Sequence, residues 1–120
     1  MEKPKRILIV EDEAISAMLL AKTLADIGYS VAKIVATGED AIKSAETDRP
    51  DIIAMDIRLA GKLDGIDAAS TIASKLNIPI VFMTGYDDRA TRDRAMRLKP
   101  LGYMVKPLDL EKFRDLMSRF

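Results

Sequence analysis

The chain has 120 residues, 48% hydrophobic and 32% charged, a balance that predicts one globular domain with a real core. Its formal net charge is zero, so nothing in the bulk balance favours nucleic acid or an anionic membrane as a direct partner. The absence of cysteine and histidine excludes disulfides, thiol chemistry, thiolate or imidazole metal sites and histidine acid–base catalysis, so a bound metal would be hard and oxygen-ligated.

The N-terminus reads MEKPKR and then ILIV, an apolar run too short for a signal peptide. No segment approaches the ~20 apolar residues of a membrane span, and the expected location is cytoplasmic. A first strand is predicted over residues 7–10, running straight into Glu11, Asp12 and Glu13. A helix follows over 14–27, with Ile15, Met18, Leu19 and Leu24 near one face and Gly28 as its stop. Next come a strand over 31–36, a helix over 39–46 and a strand over 51–55 that leads into Asp56. Asp64-Gly65 reads as a turn before a helix over 66–76. The strand over 80–83 is followed by Thr84, and Asp87-Asp88 start a helix over 89–98. Arg89, Arg92, Arg94, Arg97 and Lys99 make that helix basic; a solvated face is the plain reading and partner docking the functional one. A strand over 103–105 leads into Lys106, and Asp109 starts a helix over 110–120 with Phe113, Leu116, Met117 and Phe120 on one stripe. The methionines, Met55, Met83 and Met96 among them, read as core packing.

Five alternating strand–helix units imply an α/β fold, a doubly wound parallel sheet with helices on both faces. Most strand candidates are continuous apolar runs, as burial on both faces requires. No linker or second domain is expected within residues 1–120. In such sheets, sites form outside the carboxyl ends of the strands. Carboxylates, a hydroxyl and an amine therefore share one rim: Glu11, Asp12, Asp56, Thr84 and Lys106. Converging carboxylates repel unless a cation joins them, and Mg²⁺ suits a few carboxylates plus a phosphate. Asp56 could then act as a nucleophile toward phosphorus, with Lys106 offsetting charge on the transferred oxygens and Thr84 bonding the product. Singly, each residue is a helix cap, a turn residue, a β-former or a solvated lysine; together they are hard to dismiss.

The set Glu11-Asp12, Asp56, Thr84, Tyr103 and Lys106-Pro107 resembles, from end to end, a response-regulator receiver domain of two-component signalling. The resemblance implies a flavodoxin-like sheet of order 2-1-3-4-5. It implies that Asp56 accepts a phosphoryl group from a histidine kinase or phosphotransfer protein. Glu11, Asp12, Asp56 and the backbone carbonyl of Arg58 would hold Mg²⁺. Lys106 would pair with the acceptor, and the Lys106-Pro107 bond would be cis. Thr84 would move onto the phosphoryl group and Tyr103 would change rotamer, remodelling the face of the fourth helix, fifth strand and fifth helix for a downstream protein. Arg58 and Tyr86 stand where the family tunes hydrolysis. A second copy of the chain is a further candidate partner.

Some positions depart from the family pattern. Glu11 stands where Asp is more usual, and its longer arm favours water-mediated contact with the ion. The loop LAGKLDG is one residue longer than the commonest form and has Ala60 in place of Pro, which leaves its conformation open. Lys99-Pro100 replaces the usual Gly-Ala before the fifth strand and predicts a stiffer turn. Rival functions fit less well. A flavin or nucleotide domain needs a glycine- or hydroxyl-rich loop after the first strand, where EDEAIS stands. A Mg²⁺ phosphatase would carry a second carboxylate where Arg58 stands. A constitutive interaction module with this fold, never phosphorylated, remains the alternative.

Overall fold

The computed structural model describes residues 3–119; Met1, Glu2 and the apolar-stripe residue Phe120 lie outside the described residues. The strands are β1 Arg6–Val10, β2 Ser30–Val35, β3 Ile52–Asp56, β4 Ile80–Thr84 and β5 Gly102–Val105. The helices are α1 Ala14–Asp26, α2 Gly38–Asp48, α3 Gly65–Lys75, α4 Arg89–Met96 and α5 Leu110–Met117. The strands form one parallel sheet in the order β2-β1-β3-β4-β5, the flavodoxin-like arrangement.

Alternation along each inner strand sends successive side chains to opposite faces. Leu8, Val10, Ile53, Met55 and Phe82 pack with α2, α3 and α4 through Ala41, Ala45, Ile66, Ala69, Ile72 and Ala95. Ile7, Ile9, Ile52, Ala54, Val81 and Met83 face the other way, against Leu24 of α1 and Phe113 and Met117 of α5. Two apolar layers thus share one sheet, which is why β1, β3 and β4 read as unbroken aliphatic runs. β2 and β5 are the edges and are only partly covered.

Several local readings change. Of the apolar face read for α1, Leu24 is buried as expected, but Ile15, Met18 and Leu19 point outward at 71%, 68% and 62% exposure, and Ala17 is buried instead. A small residue at position 17 lets the helix approach the sheet, and periodicity alone cannot tell that face from the wider one beside it. Met55 and Met83 are core residues, but Met96, at the last turn of the short α4, is half exposed. α4 stops earlier than predicted because the chain turns at Lys99, which takes a left-handed φ of 51°. Asp64 is no plain turn residue. It caps α3, accepting from the Asp67 N–H at 2.8 Å while the Asp67 carboxylate accepts from the Asp64 N–H at 3.1 Å. Asp88 and Asp109 cap α4 and α5 as their positions imply.

The parallel register lines up the strand ends. Val10 pairs with Met55, Asp56 with Met83 and Thr84 with Val105. The residues that follow or end these strands therefore emerge side by side on one rim. The turn at Asn77, between α3 and β4, lies at the opposite rim.

Candidate functional site

β1 delivers Glu11 one residue past its end, where the Glu11 N–H still donates to the Val35 carbonyl at 2.9 Å. β3 and β4 end in Asp56 and Thr84, so both belong to strands and are fixed by the ladder. The Lys106 N–H donates to the Thr84 carbonyl at 2.8 Å, which sets Lys106 beside them. Carboxylate oxygens of Glu11, Asp12 and Asp56 lie within 4.8 Å of one another. Glu11 and Asp56 are buried, at 4% and 5% exposure, while Asp12 is open to solvent.

Lys106 Nζ donates to Asp56 Oδ2 at 2.9 Å and also to Glu11 Oε1. One ammonium thus faces three carboxylates. Burial, and the Glu11 carboxylate next to it, push the Asp56 carboxyl up to about 6, against the pull of Lys106. Burial also acts to raise Glu11. Hydrogen bonds involving Lys106, Asp56 and the Glu13 N–H outweigh it and hold Glu11 below its ordinary value. Burial would lower Lys106, but its bonds to Glu11 and Asp56 win and raise it.

Asp12 has a second task. Its Oδ2 accepts the Ala60 N–H at 3.1 Å, and Ala60 bridges to Thr37 in parallel fashion. The long loop after Asp56 is thereby pinned to the rim, with Gly61 at φ 96° supplying the left-handed turn. Glu13 sits at the N-cap of α1 in extended conformation and accepts the Ser16 hydroxyl at 2.9 Å without capping the helix backbone.

The Thr84 hydroxyl donates to the Tyr86 carbonyl at 2.7 Å and accepts the Tyr86 N–H at 3.1 Å, so it is engaged by the following loop. The Arg58 guanidinium lies 4.4 Å from the centre of the Tyr86 ring, and that ring is largely exposed. Tyr103 donates its phenol proton to Asp87 at 3.1 Å. The Lys106-Pro107 peptide bond is cis. Arg92 and Arg94 of the basic helix are engaged in ion pairs, Arg92 with Asp87 and Arg94 with Asp64 and Asp67 at 3.1 and 3.3 Å.

Two parts of the site escaped sequence reasoning. A Cβ on Gly65 would sit 2.0 Å from the Asp56 carbonyl oxygen, and the Gly65 N–H donates to the Ile57 carbonyl at 2.7 Å. Only glycine lets α3 start so close to the strand that ends in Asp56; the Asp64-Gly65 pair was the visible signal, read as a turn. The Asp87 carboxylate was read with Asp88 as a helix start, and nothing local shows that it meets Tyr103 instead.

Beside the rim, a groove of about 580 Å³ runs between α1 and α5, lined by Glu11, Leu19, Leu20, Lys106, Pro107 and Leu108 among others. No helix among the described residues is long and apolar enough to cross a membrane.

The family model for the response regulator receiver domain matches residues 7–118. The transcriptional regulatory protein PdtaR of Mycobacterium tuberculosis is 41% identical over 107 residues, covering 89% of this chain and 52% of that protein. The alkaline phosphatase synthesis transcriptional regulatory protein PhoP of Bacillus subtilis is 38% identical over 104 residues, 86% of this chain and 42% of that protein. Among solved structures, the signal receiver domain of a modulated diguanylate cyclase from Desulfovibrio desulfuricans G20 is similar, with a TM-score of 0.90 and 37% identity over 98% of this chain and 93% of that one. The chain spans about half the length of the curated relatives it matches.

Proposed function

The chain belongs to the response regulator receiver family, and on that premise we propose that residues 1–120 form a phosphorylation-activated switch whose acceptor is Asp56. The observation that carries this reading is the convergence of Glu11, Asp12 and Asp56 within 4.8 Å, with Lys106 Nζ 2.9 Å from the Asp56 carboxylate. The chain is a signalling domain, and the only chemistry read for it is its own phosphoryl gain and loss.

Receiver domains bind Mg²⁺ at an acidic pocket, and the residues here fit such an ion, with hard oxygen donors in excess of the single ammonium. Glu11, Asp12, Asp56 and the backbone carbonyl of Arg58 would hold it, and when bound it offsets negative charge on the transferred oxygens. Asp56 Oδ attacks the phosphorus of a phosphohistidine on a histidine kinase or phosphotransfer protein. The O–P bond forms as the N–P bond breaks, and that electron pair leaves on the imidazole, which takes up a proton. Lys106 stays beside the acceptor and pairs with the new phosphoryl oxygens.

Exposed Leu19 lines the groove that opens onto Glu11 and Lys106, and α1 also exposes Ile15 and Met18. This apolar exposure beside the groove supports α1 as the face on which the phosphodonor protein docks, since its histidine must reach Asp56. The phosphoryl group carries roughly −1.5 to −2 charges where the free carboxylate carried one, and its new acceptor oxygens draw the Thr84 hydroxyl off Tyr86. Rearrangement of Tyr103 then remodels α4, β5 and α5 for a downstream protein or a second copy of the chain. Arg58 and Tyr86 stack at the edge of the site and limit the approach of water to the phosphoryl group.

Incubation with Mg²⁺ and acetyl phosphate, followed by intact mass measurement, tests the reading. An alkali-labile phosphoryl adduct is expected in the native chain and not in Asp56→Asn. A folded native chain that gains no adduct with Mg²⁺ present would leave the constitutive interaction module as the better reading.

A further inference from the structure

The loop between β4 and α4 holds both hydroxyls that the switch would use. Thr84 is bound to the backbone of Tyr86 in both directions. One residue on, Asp87 Oδ1 accepts the Tyr103 phenol at 3.1 Å and Arg92 Nε at 3.2 Å, and Asp87 Oδ2 accepts a second N–H from Arg92. Arg92 also lies over the Tyr103 ring, 5.0 Å from its centre. A single ion pair therefore grips Tyr103 at its hydroxyl and at its face. Asp87 has no helix to cap, since Asp88 takes the Thr91 N–H at 2.8 Å and the Thr91 hydroxyl at 2.9 Å.

We propose that Asp87 and Arg92 are positioning residues that latch Tyr103 to this loop, and that withdrawal of Thr84 from Tyr86 opens the latch. The proposal rests on Asp56 being the phosphoryl acceptor. Its physical basis is the shared backbone. Tyr86 keeps a donor and an acceptor satisfied only while the Thr84 hydroxyl points at it. A bond from that hydroxyl to a phosphoryl group is charge-assisted and stronger than the bond it replaces. Once it forms, Tyr86 is released, and Asp87 is the next residue along. Hydrogen bonds at about 3 Å tolerate only a few tenths of an ångström and modest tilt, so a shift of this loop that frees Tyr86 also breaks the Asp87–Tyr103 bond. The ion pair with Arg92 keeps Asp87 charged, holding its carboxyl below the ordinary range. Burial and the bond to Asp87 keep the Tyr103 phenol above its own.

The test uses the whole chain with Asp87→Ala, Asp87→Asn and Arg92→Gln, alone and combined, with Mg²⁺ and beryllium fluoride as the phosphoryl mimic. Losing one partly exposed, charge-assisted bond should raise affinity for the mimic about three- to tenfold in Asp87→Ala. Arg92→Gln should give a smaller rise in the same direction, and the pair together little more than Asp87→Ala alone. Independently of any mimic, the NMR titration midpoint of the Tyr103 ring carbon should fall toward that of free tyrosine when Asp87 is lost. An unmoved midpoint, or a moved midpoint with unchanged affinity for the mimic, would overturn the latch. Native protein that ignores the mimic while its Tyr103 midpoint responds to Asp87→Ala would overturn the acceptor reading instead. Asp87→Asn, which keeps the loop's shape and a phenol acceptor, separates loss of charge from loss of fold.

Discussion

Asp56→Asn should stabilise the folded chain when divalent cations are chelated. Asp56 is buried with Glu11 beside it, and its carboxyl rises from 3.8 to about 6. A rise of that size makes the ionised side chain at pH 7 about 3 kcal/mol less favourable in the folded than in the unfolded state. Asparagine has nearly the same shape and carries no charge, and Lys106 keeps Glu11 as its partner. Glu11 loses part of the bonding from Asp56 that helps hold its carboxyl low, which trims the gain. The net expectation is about 1–3 kcal/mol of added stability, read from urea unfolding at pH 7 in chelator. The pH dependence carries a sign. Between about pH 4 and 6 the folded native chain holds a proton at Asp56 that the unfolded chain has released, so its stability falls as pH rises through this window. The asparagine variant should lack that contribution. Added Mg²⁺ at a hundredfold excess over its Kd should return about 2.7 kcal/mol to the native chain and far less to the variant. A variant no more stable than the native chain in chelator would refute the argument from carboxylate crowding, whatever becomes of the phosphoryl chemistry.

Other perturbations probe the neighbouring groups. Lys106→Ala leaves Glu11 and Asp56 without an ammonium and should cost about 1–3 kcal/mol in chelator, a range discounted for the partial exposure of Lys106, with Mg²⁺ restoring part of it in the same unfolding assay. Gly65→Ala must move a backbone oxygen now 2.0 Å from the new Cβ, and should cost about 3 kcal/mol or more in thermal unfolding and abolish stabilisation by Mg²⁺. Tyr86→Ala removes the ring under Arg58, and phosphoryl loss from Asp56 should quicken about two- to fivefold, followed by intact mass over time.

The site was more legible in the sequence than the surfaces around it, and the reason is geometric. A parallel sheet ranks its strand ends in register, so the residue ending each apolar run is enough to place Glu11, Asp56, Thr84 and Lys106 on one rim. The inner strands were equally plain, because a strand covered on both faces cannot hide polar side chains. The α1 face was misplaced because Ile15, Met18 and Leu19 have the spacing of a core stripe, yet the sheet accepts the helix along Ala17 and Leu24. Apolar spacing marks a stripe that wants a partner without saying whether that partner lies in the same chain. Asp87 and Gly65 were missed for a different reason. Their roles depend on distances to Tyr103 and to the Asp56 carbonyl, which are set by how a loop folds back on the sheet and which no local pattern encodes.

The crowding of every switch residue onto one rim leaves the other end of the sheet available to the experimenter. Asn77 is exposed in the turn between α3 and β4, at that opposite end. Because these 120 residues contain no cysteine, a thiol introduced by Asn77→Cys would be unique among them and could carry a fluorophore or a surface tether with only one exposed side chain replaced. Anchored from that end, the molecule would present Asp56 and the α1 groove freely to solution, so docking of a phosphodonor and movement of the β4–α4 loop could be followed on one immobilised protein.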